Sequence, residues 1–269
     1  MSENKKRIKR SGFRNAIDLL ILIIAVCVFC YAGYQLMQIF LANHEEKQET
    51  DKLREIADIP NNKEDLEYFH VNFDQLKAIN EDVVGWIVVK DTEISYPIVQ
   101  GDDNDYYLTH TFERKENYAG AIFMDASANA DFSDMNTFIY GHNVHHGTMF
   151  AELANYVNES FYKAHPYIYL YTPNGNYQLQ VFSAYVDKAD SSSYQMQFMS
   201  ADDFARYLNE VIAKSRYDTG VSVESSERIV TLYTCSYENG QNPDNTDAEY
   251  IDERYYIHAK IIKEIDSNE

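Results

Sequence analysis

Thr231-Leu232-Tyr233-Thr234-Cys235 closes the short run Arg228-Ile229-Val230, and β-branched and aromatic residues dominate the whole segment. Such a run predicts a strand that delivers a cysteine at its C-terminal edge. Cys235 is the only cysteine after residue 30. Outside the cell its thiol has no partner on the same side of a membrane. It is then reactive, bridged to another molecule, or buried and inert.

Working outward from that strand, the chain alternates short strand-like segments with few helical ones. Gly85-Trp86-Ile87-Val88-Val89 and Ile94-Ser95-Tyr96-Pro97-Ile98-Val99 flank Lys90-Asp91-Thr92-Glu93. Gly120–Met124 and Asn136–Tyr140 follow, and then Tyr167–Tyr171 and Tyr177–Phe182 around Pro173-Asn174-Gly175-Asn176. Asn-Gly between alternating segments is a strong hairpin signal. Ile229–Thr234 and Arg254–Ile262 bring the count to eight candidate strands, and a mainly β, closed or nearly closed barrel is expected. Helical insertions are predicted over about Thr148–Tyr156 and over Ala201–Ser215, the latter with Phe204, Leu208, Val211 and Ile212 on one face. Leu66, Phe69, Phe73, Leu76 and Ile79 predict one or two short amphipathic helices ahead of the barrel.

The N-terminal part has a different character. Residues 1–18 hold six bases against Glu3 and Asp18, a surplus of +4, so the remainder carries -24 of the formal total of -20. An acidic surface of that size repels phosphates and argues against a nucleic-acid partner. Ile17–Leu41 is mostly apolar and long enough to span a bilayer, which needs about 20 residues. With the basic cluster before it, the chain reads as a single-pass protein of the cell membrane with a cytoplasmic N-terminus and an extracellular remainder. A cleaved signal peptide is the competing reading. Its apolar region is shorter, about 7–15 residues, and Gln35–Phe40 is a poor cleavage site. Cys27 and Cys30 fall inside this run as apolar filler. The expected organisation is a basic tail (1–15), an anchor (16–41), a juxtamembrane spacer (42–65) broken at Pro60-Asn61-Asn62, and a mainly β domain (66–269).

A thiol attacks carbonyls as the thiolate, so a working cysteine needs a base or a cation beside it. Of the eight histidines, His142 follows the strand Asn136–Tyr140 and Gly141, a loop position at a strand end where catalytic groups concentrate. His142, His145 and His146 also read as a metal set, but no helical spacing holds the three on one face. For the cation, Arg254, Arg228 and Arg216 compete. Arg254 shares a strand face with Tyr256, His258 and Lys260, whereas Arg228 begins the strand whose far end bears Cys235.

Taken together, Thr231-Leu232-Tyr233-Thr234-Cys235, the upstream Tyr140-Gly141-His142-Asn143 and the downstream Asp252-Glu253-Arg254-Tyr255 resemble the sortase family, membrane-anchored cysteine transpeptidases of Gram-positive bacteria. The resemblance covers about residues 66–263. The helical N-terminal extension, Asn80–Ile87 and the helix-bearing insertion at 187–217 point to class B. It implies an eight-stranded sortase barrel with Cys235 as nucleophile, His142 as acid/base and Arg254 stabilising the oxyanion or orienting substrate. By motif position Tyr140 and Thr234 line the site, as do Tyr233 and Ser236 flanking the cysteine. Asn104, Leu108 and Tyr194 match groove positions more loosely. Tyr233 and Ser236 depart from class B members that carry a smaller residue and an acid there.

The implied reaction is cleavage of a sorting-signal peptide after Thr through a thioacyl-enzyme. A peptidoglycan cross-bridge amine then takes the acyl group, with no metal or other cofactor. Pilin polymerisation onto a lysine, a membrane-tethered cysteine hydrolase, and a binding protein with an inert Cys235 are the rival readings.

Overall fold

The computed structural model describes residues 6–59, 66, 69–144, 147–236, 238 and 252–265. Pro60-Asn61-Asn62, His145 and His146, and the basic residues up to Lys5 lie outside them. Contacts divide the chain into two units, 1–47 and 48–269. Helix α1 (Lys6–Ile56) carries the apolar run in the first unit, where the side chains from Leu19 to Phe40 are exposed, and its residues from Gln48 on belong to the second. From Ala16 on, this helix is long and apolar enough to cross a membrane. The second unit begins at Gln48, well before residue 66: Leu53 and Ala57 are buried in one cluster with Leu66, Phe73 and Leu76. The segment read as a spacer therefore contributes apolar side chains to the core of the second unit.

Eight strands close into a barrel: β1 (Val83–Val89), β2 (Ser95–Val99), β3 (Ile122–Met124), β4 (Asn136–Tyr140), β5 (Tyr167–Thr172), β6 (Gly175–Lys188), β7 (Ile229–Cys235) and β8 (Glu253–Ile265). Their order around the barrel is β1-β2-β3-β4-β7-β8-β6-β5. Residue alternation explains why so short a set of strands is stable. Ile87, Ile139, Val230, Leu232, Ile257 and Ala259 join one buried cluster. Their strand neighbours Trp86, Phe138, Tyr140, Ile229 and Tyr256 join another. Both faces are thus apolar, and closure leaves no edge unpaired. The β5–β6 hairpin pairs Thr172 with Gly175, and the Thr172 hydroxyl accepts from the Asn174 and Gly175 N–H groups.

The helices divide between the two clusters. Helix α2 (Phe73–Ile79) starts at Asn72, whose side chain accepts from the Gln75 N–H. A 3-10 helix at Ala151–Val157 runs into α3 (Glu159–Ala164), a helix the sequence reading missed. Helix α4 (Ala201–Lys214), in the β6–β7 connection, is capped by Ser200, with Asp202 and Asp203 in its first turn and Lys214 in its last, all favourable to its dipole. It buries Phe204, Tyr207, Leu208 and Val211. Tyr207 takes the place expected of Ile212, which is 38% exposed. The reason is polar as well as apolar: the Tyr207 hydroxyl donates to the Ser193 carbonyl.

Candidate active site

The site follows from the register of three neighbouring strands. β4 and β7 run parallel with Tyr140 opposite Tyr233. β8 returns antiparallel with Tyr256 opposite Tyr233 and Arg254 opposite Cys235. Side chains repeat every second residue on a strand face. His142 lies two residues beyond Tyr140, Cys235 two beyond Tyr233, and Arg254 two before Tyr256. All three therefore emerge at the same end of the barrel on the same side. A cleft of about 200 Å³ opens there, lined by Asn104, Leu108, Phe123, Tyr140, Gly141, His142, Tyr194, Tyr233, Thr234, Cys235 and Arg254.

Local packing fixes each group. Cys235 is half-buried and free, and its carbonyl accepts from the Asn143 side-chain amide at 2.9 Å. That bond ties the histidine loop to the end of the cysteine strand. The His142 carbonyl accepts from the Phe150 N–H at 2.9 Å. Its ring Nε2 lies 2.8 Å from the Leu108 carbonyl. A carbonyl only accepts, so Nε2 carries a proton and Nδ1 is left as the nitrogen that can gain or lose one. Gly141 permits this approach: a Cβ there would sit 2.4 Å from Ile122 Cδ1 and 2.7 Å from the Phe150 ring.

Arg254 has a side chain 19% exposed and pairs with Asp252. Its Nη1 also donates to the Glu253 carbonyl at 2.9 Å, and its guanidinium lies 5.7 Å from the centre of the Tyr233 ring. Burial alone would lower its pKa, but charge interaction with Cys235 and the Asp252 contact raise it above the ordinary value. The guanidinium is a fixed cation beside the thiol. The rivals are placed elsewhere. Arg228 donates to the Phe132 carbonyl and lies over Tyr177, and Arg216 pairs with Glu238.

The cleft wall is aromatic. Tyr233 meets Tyr140 edge-on with centroids 5.5 Å apart, Tyr256 at 5.1 Å and Phe138 at 5.9 Å. Burial pushes the Tyr233 pKa up to about 12, so it stays neutral. The Tyr233 ring is thus also the shelf beneath the Arg254 guanidinium. Thr234 is 2% exposed and its hydroxyl has no hydrogen-bond partner among the described residues. Ser236 corrects an expectation. Alternation turns it to the side opposite Cys235, where it is fully buried and its N–H donates to the Glu253 carbonyl at 2.9 Å; it does not line the cleft. Of the three histidines weighed as metal ligands, His142 alone lies within the described residues, and among these no cluster of metal-ligating side chains occurs.

Sequence reasoning missed Asp125. It sits just past β3, 2% exposed, and accepts from the Tyr140 hydroxyl at 2.6 Å and the Asn104 side-chain amide at 2.8 Å. Burial would raise its pKa, but bonds from Ser127, Tyr140 and Asn104 hold it below the usual carboxylate range. The only sequence signal was an acid closing the apolar run Ile122-Phe123-Met124.

Comparison with known proteins agrees with this geometry. The family described as Sortase domain matches residues 87–262. Sortase B of Staphylococcus aureus (strain NCTC 8325 / PS 47) is 34% identical over 257 residues, 96% of this chain and 99% of that protein. Sortase B of Listeria monocytogenes serovar 1/2a is 38% identical over 187 residues, 70% and 72% of the two chains. A Staphylococcus aureus sortase B–substrate complex superposes with a TM-score of 0.72 at 34% identity, covering 83% of this chain and 99% of that one. Clostridium perfringens sortase B gives 0.64 at 35% identity, covering 71% and 100%. With the barrel, the cleft and these relatives in agreement, the chain belongs to the sortase family and is a cysteine transpeptidase of the sortase B type.

Proposed function

We propose that this transpeptidase cleaves the C-terminal sorting signal of secreted proteins after a Thr and transfers the acyl group to a peptidoglycan cross-bridge amine. The observation that carries the reading is the convergence of Cys235, His142 and Arg254 on one cleft. The Cys235 sulfur attacks the Thr carbonyl, and the π electrons move onto oxygen. The Arg254 cation and backbone N–H groups oppose that developing charge, a contribution of about 3–4 kcal/mol per well-placed donor in enzymes of this kind. The C–N bond then breaks, and His142 gives a proton to the departing amine. The thioester carbonyl next accepts the cross-bridge amine, whose proton passes to His142, and the thiolate leaves.

The apolar part of α1 supports a signal-anchor that keeps the N-terminus cytoplasmic and the barrel outside a Gram-positive cell. Tyr140, Tyr194, Tyr233, Asn104 and Leu108 form the peptide-binding wall. The substrate complex solved for the Staphylococcus aureus relative supports a peptide in the corresponding groove.

The test is turnover of a fluorogenic peptide library with and without an added oligoglycine amine, using Cys235→Ala as control. Cleavage at a Thr with aminolysis outpacing hydrolysis is expected. Hydrolysis insensitive to the amine would instead make the protein a cysteine hydrolase.

A further inference from the structure

Asp125 imposes a direction on the hydrogen bonds of the cleft wall. Its Oδ1 is occupied by the Ser127 N–H at 2.8 Å and the Ser127 hydroxyl at 2.6 Å. Its Oδ2 takes the Tyr140 hydroxyl at 2.6 Å and an Asn104 amide N–H at 2.8 Å. A phenol has one proton, and Tyr140 has given it to Asp125. In the 2.6 Å contact between the Tyr140 and Tyr194 hydroxyls, Tyr140 must then accept and Tyr194 must donate. Both protons point inward along the chain, and the Tyr194 oxygen turns lone pairs to its surroundings. Asn104 is fixed in the same way, since its Oδ1 accepts from the Ala126 N–H at 2.8 Å. One remaining Asn104 N–H is a donor beside these two phenols. Tyr140, Tyr194 and Asn104 all line the cleft.

We propose that Asp125 is a positioning residue that sets this polarity, so that the wall accepts peptides offering a hydrogen-bond donor and turns away peptides offering a carboxylate. The inference rests on the peptide-cleaving function proposed above. A carboxylate brought to this wall meets phenol oxygens that have no proton to give and a buried like charge behind them. A side-chain amide of the same shape donates to them. Sites built around such fixed donors and acceptors discriminate far more strongly than apolar pockets do.

Asp125→Asn reverses the chain with little change in volume. The Ser127 N–H keeps the amide oxygen at the Oδ1 position, so the new NH2 group takes the Oδ2 position. There it donates to Tyr140, which must then donate to Tyr194, whose own proton is released toward the cleft; the bond from the Asn104 N–H to this position is lost, since two NH2 groups cannot pair.

The test uses the full chain in detergent and a fluorogenic peptide that the wild-type protein cleaves, with Gln and Glu exchanged at each position ahead of the scissile bond. At one position or more, wild type should favour Gln over Glu in kcat/KM by about 100-fold, and Asp125→Asn should reduce that ratio by about tenfold or more. The rate at which a small methanethiosulfonate modifies Cys235 should not change, separating wall polarity from damage to the nucleophile. Because Asp125 acts through Tyr140, Asp125→Asn in a Tyr140→Phe background should leave the ratio where Tyr140→Phe alone sets it. An unchanged ratio in Asp125→Asn, or effects that multiply in the double variant, overturns the inference while leaving the function standing. If wild type cleaves none of the peptides, the function falls and this inference with it. Should Asp125→Asn fail to fold, Tyr194→Phe removes the terminal acceptor, and retention of the full ratio there is equally decisive against the proposal.

Discussion

His258 should make the barrel lose stability in mild acid. It is fully buried on β8, and burial first, then the charge of Lys214, pushes its pKa down to about 3. Its neighbours fix the neutral form. The Thr231 hydroxyl donates to Asn136 Oδ1 at 2.7 Å, so Thr231 can only accept from His258 Nδ1–H at 2.8 Å. His258 Nε2 is then the acceptor for the Tyr185 hydroxyl at 3.0 Å. A second ring proton would face a donor.

The sign follows from the depressed folded value. Above the unfolded pKa of about 6.5 the imidazole is neutral in both states, and its stabilising contribution is complete. Below 6.5 the unfolded chain takes up a proton that the folded chain refuses, and stability falls until pH reaches about 3. Each pH unit costs up to about 1.4 kcal/mol, so lowering pH from 7 to 5 should remove about 2 kcal/mol through this residue alone. Urea unfolding of residues 48–269, followed by the fluorescence of the single, buried Trp86, measures it. The pH dependence in His258→Gln, which keeps a donor and an acceptor but does not titrate, should be shallower by that amount. Equal slopes, or a His258 ring resonance that titrates near 6.5 by NMR, would refute the reasoning.

Gly141→Ala places a Cβ against Ile122 and Phe150. It should destabilise the unit by about 1–3 kcal/mol in urea unfolding, with a further loss of kcat as His142 is displaced. Arg254→Lys keeps the charge but lacks the planar group that lies over Tyr233. It should retain part of the activity that Arg254→Ala loses by about 100-fold or more in kcat, and equal activity of Arg254→Ala and wild type would return Arg228 to consideration. Asn143→Ala removes the link to the Cys235 carbonyl. It should cost about 1 kcal/mol of stability and slow methanethiosulfonate modification less than it slows peptide turnover.

Much of the barrel was legible because its strands are short β-branched and aromatic runs with turn residues between them. β7 and β8 read directly from Ile229–Thr234 and Arg254–Ile262. The sequence also exposed Cys235, since it is the one thiol after the apolar N-terminal run, and His142, since Tyr-Gly-His-Asn follows a strand. The resemblance was needed to choose Arg254, whose relation to Cys235 depends on a strand register that no local pattern states. Tyr207, α3 and Ser236 were misread for local reasons. A tyrosine is ambiguous between surface and core until its hydroxyl finds a partner, α3 is six residues long, and one position on a strand decides which side a serine faces. Asp125 was invisible because its meaning lies in the pairing of β3 with β4, which brings Phe123 opposite Tyr140 and the carboxylate beneath the phenol.

The central claim is that Cys235 takes the acyl group. Intact-mass spectrometry of the full chain, quenched in acid during turnover of a cleaved peptide, tests it most directly. The account predicts an adduct equal to the peptide through its Thr. It should map to Cys235, discharge on addition of hydroxylamine and be missing from Cys235→Ala. An adduct on another residue, or peptide cleavage that persists in Cys235→Ala, would contradict it.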